Sequence, residues 1–281
     1  MGKRFAVIGG DARMVYLAAA LTRKGHTVAT WGLARQEAPQ PQTLAQAAEA
    51  EHIILPLPLT KGDGLLHCAE RTLPLWQLWD TLTPEKKVFA GQVTEEDRAA
   101  AKERGIELRD YFLREELTVR NAALTAEGAL IAAKERMSGA LLGARCLVVG
   151  YGRIGKLLSH RLSTFGAEVT VAVRRPSDRA WVESFALRAA RSDRLCDAVR
   201  GMQVVFNTAP APIFTREVLS RMEGGSILID LASVRCAAEA DTRAAGVSYV
   251  WARALPGRVA PQSAGEAIAA TIENMLEEES K

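Results

Sequence analysis

The sequence predicts an α/β protein of two Rossmann-like, doubly wound parallel-sheet domains with a cleft between them. Three observations carry that expectation. Short β-rich apolar runs alternate with helical patterns along the whole chain, as βαβ units require. Glycines cluster twice at a strand-to-helix junction, at Gly9-Gly10 and at Gly150–Gly155. Finally, 281 residues with 48% apolar content suffice for two buried cores.

In the first series, residues 4–8, 27–31, 52–55 and 87–90 read as strands, and 14–24, 44–50 and 94–104 as the intervening helices. Thr94, with Asp97 three residues on, is an N-cap, and Gly105 is the matching stop. The second series places strands at 146–149, 168–173, 204–207, 226–231 and 248–251. Between them the chain is charged and then Ala-rich; Thr125, with Glu127 in the first turn, predicts a linker helix over 125–137. A last helix over 263–278 follows a Pro- and Gly-containing turn and can fold back on the first domain. The boundary is set at 122/123, with 123–281 as the second domain.

Composition excludes several functions. Lys and Arg number 36 against 33 Asp and Glu, with no long single-sign block, which argues against a nucleic-acid partner. The apolar run Phe5–Ile8 is too short for a signal-peptide core, and residues 53–59 are broken by two prolines, so no membrane partner is expected. The four cysteines are far apart with no C-x-x-C pair, which fits a reducing cytoplasm. No metal motif is present, and the four histidines are isolated in sequence, so none is assigned chemistry.

The strongest chemical signal is Gly150-Tyr151-Gly152-Arg153-Ile154-Gly155, a G-x-G-x-x-G run between a strand and an amphipathic helix. Gly150 makes the tight turn, Gly152 lets a pyrophosphate approach the backbone, and Gly155 lets the helix pack close to the strand, with the free N–H groups at the helix start holding phosphate. Gly155-Lys156 also matches the end of a P-loop, but Leu157 replaces the hydroxyl that binds magnesium. After the second strand, where an acid would hold the ribose hydroxyl of NAD, stand Arg174, Arg175 and Ser177. Two guanidiniums and a hydroxyl suit a 2′-phosphate, so the predicted cofactor is NADP(H). Asn207-Thr208-Ala209-Pro210 and Leu231-Ala232-Ser233 end later strands, where ligands border such sheets, and the Pro256-Gly257 connection offers amides to the carboxamide end.

Gly9-Gly10-Asp11 lacks the later glycines of the dinucleotide pattern and so predicts a smaller ligand. Two amides at a helix start with Arg13 one turn in make a carboxylate site, to which the turn Thr60-Lys61-Gly62 adds a cation.

These pieces together resemble one family. Residues 8–13, Asn121 with 125–128, Gly150–Gly155, Asn207-Thr208, Asp230–Ser233 and 255–261 with Ala264-Gly265 are similar to the family of dipicolinate synthase A subunits. That resemblance implies an amino-terminal family-specific domain and a carboxyl-terminal domain like that of 2-hydroxyacid dehydrogenases. It implies oxidation of dihydrodipicolinate, a small dicarboxylate, to dipicolinate with NADP⁺ for spore formation, in the mother-cell cytoplasm of a sporulating bacterium. The flavoprotein-like B subunit of dipicolinate synthase is the implied partner; self-association stays open. The family commonly shows a Pro-Gly-Gly turn where this chain has Arg235-Cys236-Ala237, so the loop path near the nicotinamide is open. Aromatisation supplies much of the driving force, so a strong base is not demanded; Glu127 is the proton-acceptor candidate, beside its ordinary role at a helix start. Two alternatives stand: a non-catalytic NADP-binding scaffold of the complex, and another oxidoreductase of the 2-hydroxyacid dehydrogenase type.

Overall fold

The computed structural model describes residues 2–33, 43–62, 64–69 and 71–280. The chain divides into two compact units, Met1–Arg120 with Ala260–Lys281, and Asn121–Val259.

The first unit is built from β1 (Arg4–Ile8), α1 (Ala12–Arg23), β2 (Thr27–Trp31), α2 (Leu44–Ala48), β3 (His52–Ile54), α3 (Leu75–Thr81), β4 (Lys87–Ala90), α4 (Glu95–Lys102) and β5 (Leu108–Asp110). Its sheet has the order β2-β1-β3-β4-β5 with every pairing parallel. Because side chains alternate across a strand, Phe5 and Val7 face one core with Leu17 and Leu21, while Ala6 and Ile8 face another with Leu78 and Trp79. Thr94 and Asp97 form a capping box at the start of α4, and Gly105 adopts φ +73° just beyond its end.

Next comes α5 (Glu115–Lys134). It starts ten residues before the expected 125, because Glu115 and Glu116 complement the free N–H groups of its first turn. Thr125 and Glu127 are therefore mid-helix, and the Thr125 hydroxyl donates back to the Asn121 carbonyl at 2.8 Å instead of capping.

The second unit continues with β6 (Arg145–Val149), α6 (Arg153–Thr164), β7 (Glu168–Val173), α7 (Pro176–Ser184), β8 (Arg188–Arg191), α8 (Leu195–Ala198), β9 (Val204–Asn207), α9 (Arg216–Leu219), β10 (Ile227–Asp230), α10 (Glu239–Ala244), β11 (Ser248–Trp251) and α11 (Leu255–Val259). The sheet order β11-β10-β9-β6-β7-β8, all parallel, is the doubly wound dinucleotide-binding order, with its switch point between β6 and β9. Residues 255–259, expected as a glycine- and proline-rich connection, form one turn of helix, so Pro256 and Gly257 lie within α11.

The last element, α12 (Pro261–Glu278), belongs to the first unit rather than to the second-domain span of 123–281 expected for it. Ala267, Ile268, Ile272 and Leu276 share a core with Leu17 and Leu21 of α1. Gly265 makes this close packing possible, since a Cβ there would lie 2.2 Å from the Arg13 carbonyl oxygen. No helix among the described residues is long and apolar enough to cross a membrane.

Candidate functional site

The site in the second unit is built on the turn between β6 and α6. Gly150 adopts φ +98°, and a Cβ on it would meet the Thr208 Oγ1 at 2.4 Å. A Cβ on Gly155 would lie 2.2 Å from the Gly150 carbonyl oxygen, so only glycine lets α6 approach β6. Gly152 is the opposite case: nothing lies within 4 Å of its Cβ position. As the N-cap of α6 it has no side chain with which to satisfy the first amides of a 12-residue helix. The turn thus presents open space, a helix start without a side-chain cap and the positive end of a helix dipole, which is what a pyrophosphate requires. The residues present fit a dinucleotide.

At the end of β7, Arg174 is exposed and makes no ion pair among the described residues. Arg175 differs from the sequence expectation: its Nε and Nη2 donate to the Asp178 carboxylate at 2.8 and 2.9 Å. These hydrogen bonds hold the Asp178 carboxyl below the usual carboxylate range. Ser177 is exposed in the first turn of α7.

The ends of β9 and β10 are tied by a buried polar network. Asn207, fully buried, donates from Nδ2 to the Asp230 Oδ1 at 2.8 Å and to the Ala209 carbonyl at 2.9 Å. Asp230 also accepts from the Ala232 and Cys236 amides and from the Tyr249 hydroxyl. Asn207 therefore shapes the Thr208-Ala209-Pro210 loop, with its amide group engaged inside the protein. Leu231 and Ala232 are buried and Ser233 exposed. At the Arg235-Cys236-Ala237 departure, the Cys236 amide is held by Asp230 and burial pushes its thiol well up. The Arg235 guanidinium lies over the Trp251 ring at 4.4 Å, and that of Arg253 at 4.8 Å. Tyr249 and Trp251 were missed by sequence reading, since each acts through tertiary contacts.

Glu127 lies in a groove of about 1040 Å³ lined also by Leu130, Ile131, Lys134, Arg161 and Phe165. None of the residues expected to hold cofactor lines it.

In the first unit the glycine turn has another character. Gly9 and Gly10 adopt φ +72° and +106°, and their Cβ positions are filled by Leu66 and Met14 at 2.7 and 2.2 Å. Asp11 caps α1, accepting from the Arg13 amide at 3.0 Å. The Arg13 side chain is not the free cation expected: it is buried, donates to both Asp11 oxygens at 2.8 to 3.2 Å, and donates to the Leu57 carbonyl. Burial alone would raise the Asp11 pKa, but these bonds and the guanidinium charge hold it below its ordinary value.

The second turn does come to the same place. Gly10 bridges to Cys68, and Thr60 to Leu66, which joins the Thr60–Gly62 turn to the glycine pair; Asp63, inside that turn, lies outside the described residues. Beside it is a cavity of about 130 Å³ lined by Lys61, Leu65, Leu66, His67, Cys68, Arg71 and Thr72. His67 has a buried Nδ1 with no hydrogen-bond partner among the described residues, and burial with the charge of Lys61 pushes the ring pKa down. Its place six residues after Lys61 was the only signal in the sequence. Asn121 lies in α5, outside this cavity's lining.

Both units match known protein families. Residues 4–112 match the N-terminal domain family of the dipicolinate synthase A subunit, and residues 115–244 the NAD-binding domain of D-isomer-specific 2-hydroxyacid dehydrogenases. The A subunit of dipicolinate synthase from Bacillus subtilis is 26% identical over 290 residues, covering 99% of this chain and 97% of that protein. Over its whole length, the chain is similar to the dipicolinate synthase A subunit. A crystal structure of that Bacillus subtilis protein superposes with TM-score 0.87 at 26% identity, covering 99% of this chain and 97% of that one. Its counterpart from Bacillus halodurans shares the fold at TM-score 0.87 and 23% identity, covering 98% of each chain. A transhydrogenase from Sinorhizobium meliloti has the same fold at TM-score 0.71 and 20% identity, over 97% of this chain and 93% of that one. The second unit is thus a nicotinamide-dinucleotide-binding domain of dehydrogenase type.

Proposed function

We propose that this chain is the oxidoreductase component that converts dihydrodipicolinate to dipicolinate with NADP⁺. The observation that carries the reading is the open Gly152 position at an uncapped helix start, beside a Gly155 that tolerates no side chain. Bound nicotinamide supplies the hydride acceptor; the chain's residues bind and orient. Gly152 and the first amides of α6 hold the pyrophosphate. Arg174, with Ser177, receives the ribose 2′-phosphate, and Arg175 joins only by leaving Asp178. Thr208–Pro210, Leu231–Ser233 and Pro256-Gly257 border the remaining length, the first two held in place by the Asn207–Asp230 network. The acid substrate belongs to the turns of the first unit, where Gly9-Gly10 and Thr60–Gly62 meet. Loss of hydride and proton leaves an aromatic ring, so orientation rather than a strong base carries the catalysis. The flavoprotein-like B subunit is the partner, in the mother-cell cytoplasm of a sporulating bacterium.

The test is an assay of the purified chain with dihydrodipicolinate and either NADP⁺ or NAD⁺, with and without the B subunit. Reduction of NADP⁺ in preference to NAD⁺ by the chain alone is expected. Dinucleotide binding without turnover under every condition would replace this reading by a non-catalytic scaffold.

A further inference from the structure

We propose that Lys61, His67 and Arg71 form a carboxylate seat in the first unit, in which Lys61 and Arg71 hold the acid group and the His67 Nδ1 accepts the substrate's proton. This rests on the reading that the first unit takes the acid substrate, and assigns the work to residues that Gly9, Gly10 and Arg13 do not include.

The cations come first. Arg13 is engaged with Asp11 and Leu57, and the helix start it flanks is capped by the Asp11 carboxylate, so an incoming anion finds neither free. Lys61 and Arg71 make no ion pair among the described residues, and both line the same cavity. Among the described residues, no acidic one belongs to that lining. The Arg71 guanidinium is set 5.3 Å from the Trp31 ring centroid, an arrangement that orients it and leaves its N–H edge for an oxygen pair. The volume of about 130 Å³ is small beside that of ordinary ligand pockets, and fits one carboxyl-bearing end of a small acid.

His67 supplies the chemistry. Its ring lies near the Pro58 backbone, and its buried Nδ1 has no hydrogen-bond partner among the described residues. In the neutral tautomer with the proton on Nε2, Nδ1 carries a free lone pair. The groups around it are Lys61, Arg13 and Asp11, with Arg71 on the cavity wall; burial and the two nearer cations keep the ring neutral, and Asp11 opposes them. A neutral imidazole with an unpartnered nitrogen, on a cavity lined by cations, is the arrangement a proton acceptor requires. The step balances with an oxidised nicotinamide dinucleotide as oxidant. One substrate C–H bond breaks with its electron pair passing as hydride to the oxidant. The neighbouring C–H bond breaks as its pair becomes the new ring double bond, and its proton forms the Nδ1–H bond of an imidazolium that later returns it to water.

The experiment uses the full chain and three variants, Lys61→Ala, Arg71→Gln and His67→Asn, with His67→Gln as a second replacement should the first fail to melt like wild type. Dipicolinate is titrated by calorimetry and by the ¹⁵N resonances of the His67 ring. Loss of about tenfold in affinity in Lys61→Ala and Arg71→Gln, with movement of the His67 Nδ1 resonance in wild type, is expected. Affinities unchanged in both variants overturn the seat, whether or not the chain turns over. Inorganic phosphate binding more tightly than dipicolinate overturns its assignment to carboxylate. For the base, His67→Asn is expected to lower kcat about a hundredfold while dipicolinate affinity stays near wild type, and to remove the acidic limb of the pH profile. An unchanged kcat overturns that role. Seat-dependent binding without any NADP⁺ reduction leaves the seat standing and removes the proposed reaction.

Discussion

The two units place the same device, a glycine turn between a central strand and a helix, in opposite conditions. At β1–α1 the turn is closed by the protein itself: Leu66 and Met14 fill the Cβ positions of Gly9 and Gly10, and the Asp11 carboxylate already sits on the helix start. At β6–α6 the cap is Gly152, with no side chain and nothing near it. Glycine content alone does not make a phosphate site; an unfilled helix terminus does. The closed turn is filled by its own neighbours, and its companion loop carries the exposed cations instead.

The sharpest way to break this contrast is Gly155→Ala, whose Cβ meets backbone at 2.2 Å. It is expected to cost about 3 kcal/mol or more of stability, read by chemical denaturation, together with loss of dinucleotide binding. Arg13→Ala tests the closed turn: leaving the Asp11 carboxylate without its guanidinium and the Leu57 carbonyl without its donor is expected to destabilise by about 2–4 kcal/mol with NADP⁺ affinity unchanged. The Asp11 part has a definite pH signature. Its folded pKa is depressed, so its stabilisation is full above the unfolded value near 3.8 and is lost as pH falls through the lower folded value. The penalty of Arg13→Ala should therefore shrink in acid, and a penalty that grows there contradicts the pairing.

Gly152→Ala is the cleaner test of openness. With φ −78° and no neighbour at its Cβ, the variant should fold with wild-type stability yet bind NADP⁺ about 10–100-fold more weakly, since the methyl occupies the phosphate approach. Arg174→Ala should cut the preference for NADP⁺ over NAD⁺ about tenfold by calorimetry, and Arg175→Ala less, because Asp178 already holds that side chain. The smallest effect concerns thiols: Cys146 and Cys236 are buried, with the Cys146 pKa pushed up to about 12, so an alkylating reagent should label the half-buried Cys68 and Cys196 first. Early labelling of Cys146 would show that the β6 core opens readily.

Much of this was legible in the sequence because the strands are β-branched runs bounded by turns. Residues 4–8, 27–31, 87–90, 168–173, 204–207 and 248–251 coincide with strands as read. What escaped notice is instructive. β8 is Arg-Ala-Ala-Arg at the sheet edge, where only one neighbour needs satisfying and no apolar run is required. β5 is three residues long with Asp110 in it, whose oxygens accept from Gln92, Val93 and Phe112 amides. The start of α5 was hidden because Glu115 and Glu116 look like a loop until their position on a helix terminus is known. Within the candidate site, the glycine turn of the second unit was readable because its chemistry is local. The fate of Arg13 was not, since Leu57 is 44 residues away in sequence, and neither was the cavity around His67, which exists only once two loops bridge.

Because α12 supplies Ile268, Ile272 and Leu276 to the core of a unit whose other segment ends at residue 120, that core is assembled from two stretches separated by the whole second unit. During synthesis, the apolar stripe of α1 must wait for residues 261–278 before it is covered, while the elements of the dinucleotide-binding unit have all been made by then. A ribosome stalled before residue 260 would hold a nascent chain whose first unit is still incomplete, which gives α12 a say in whether that unit survives proteolysis.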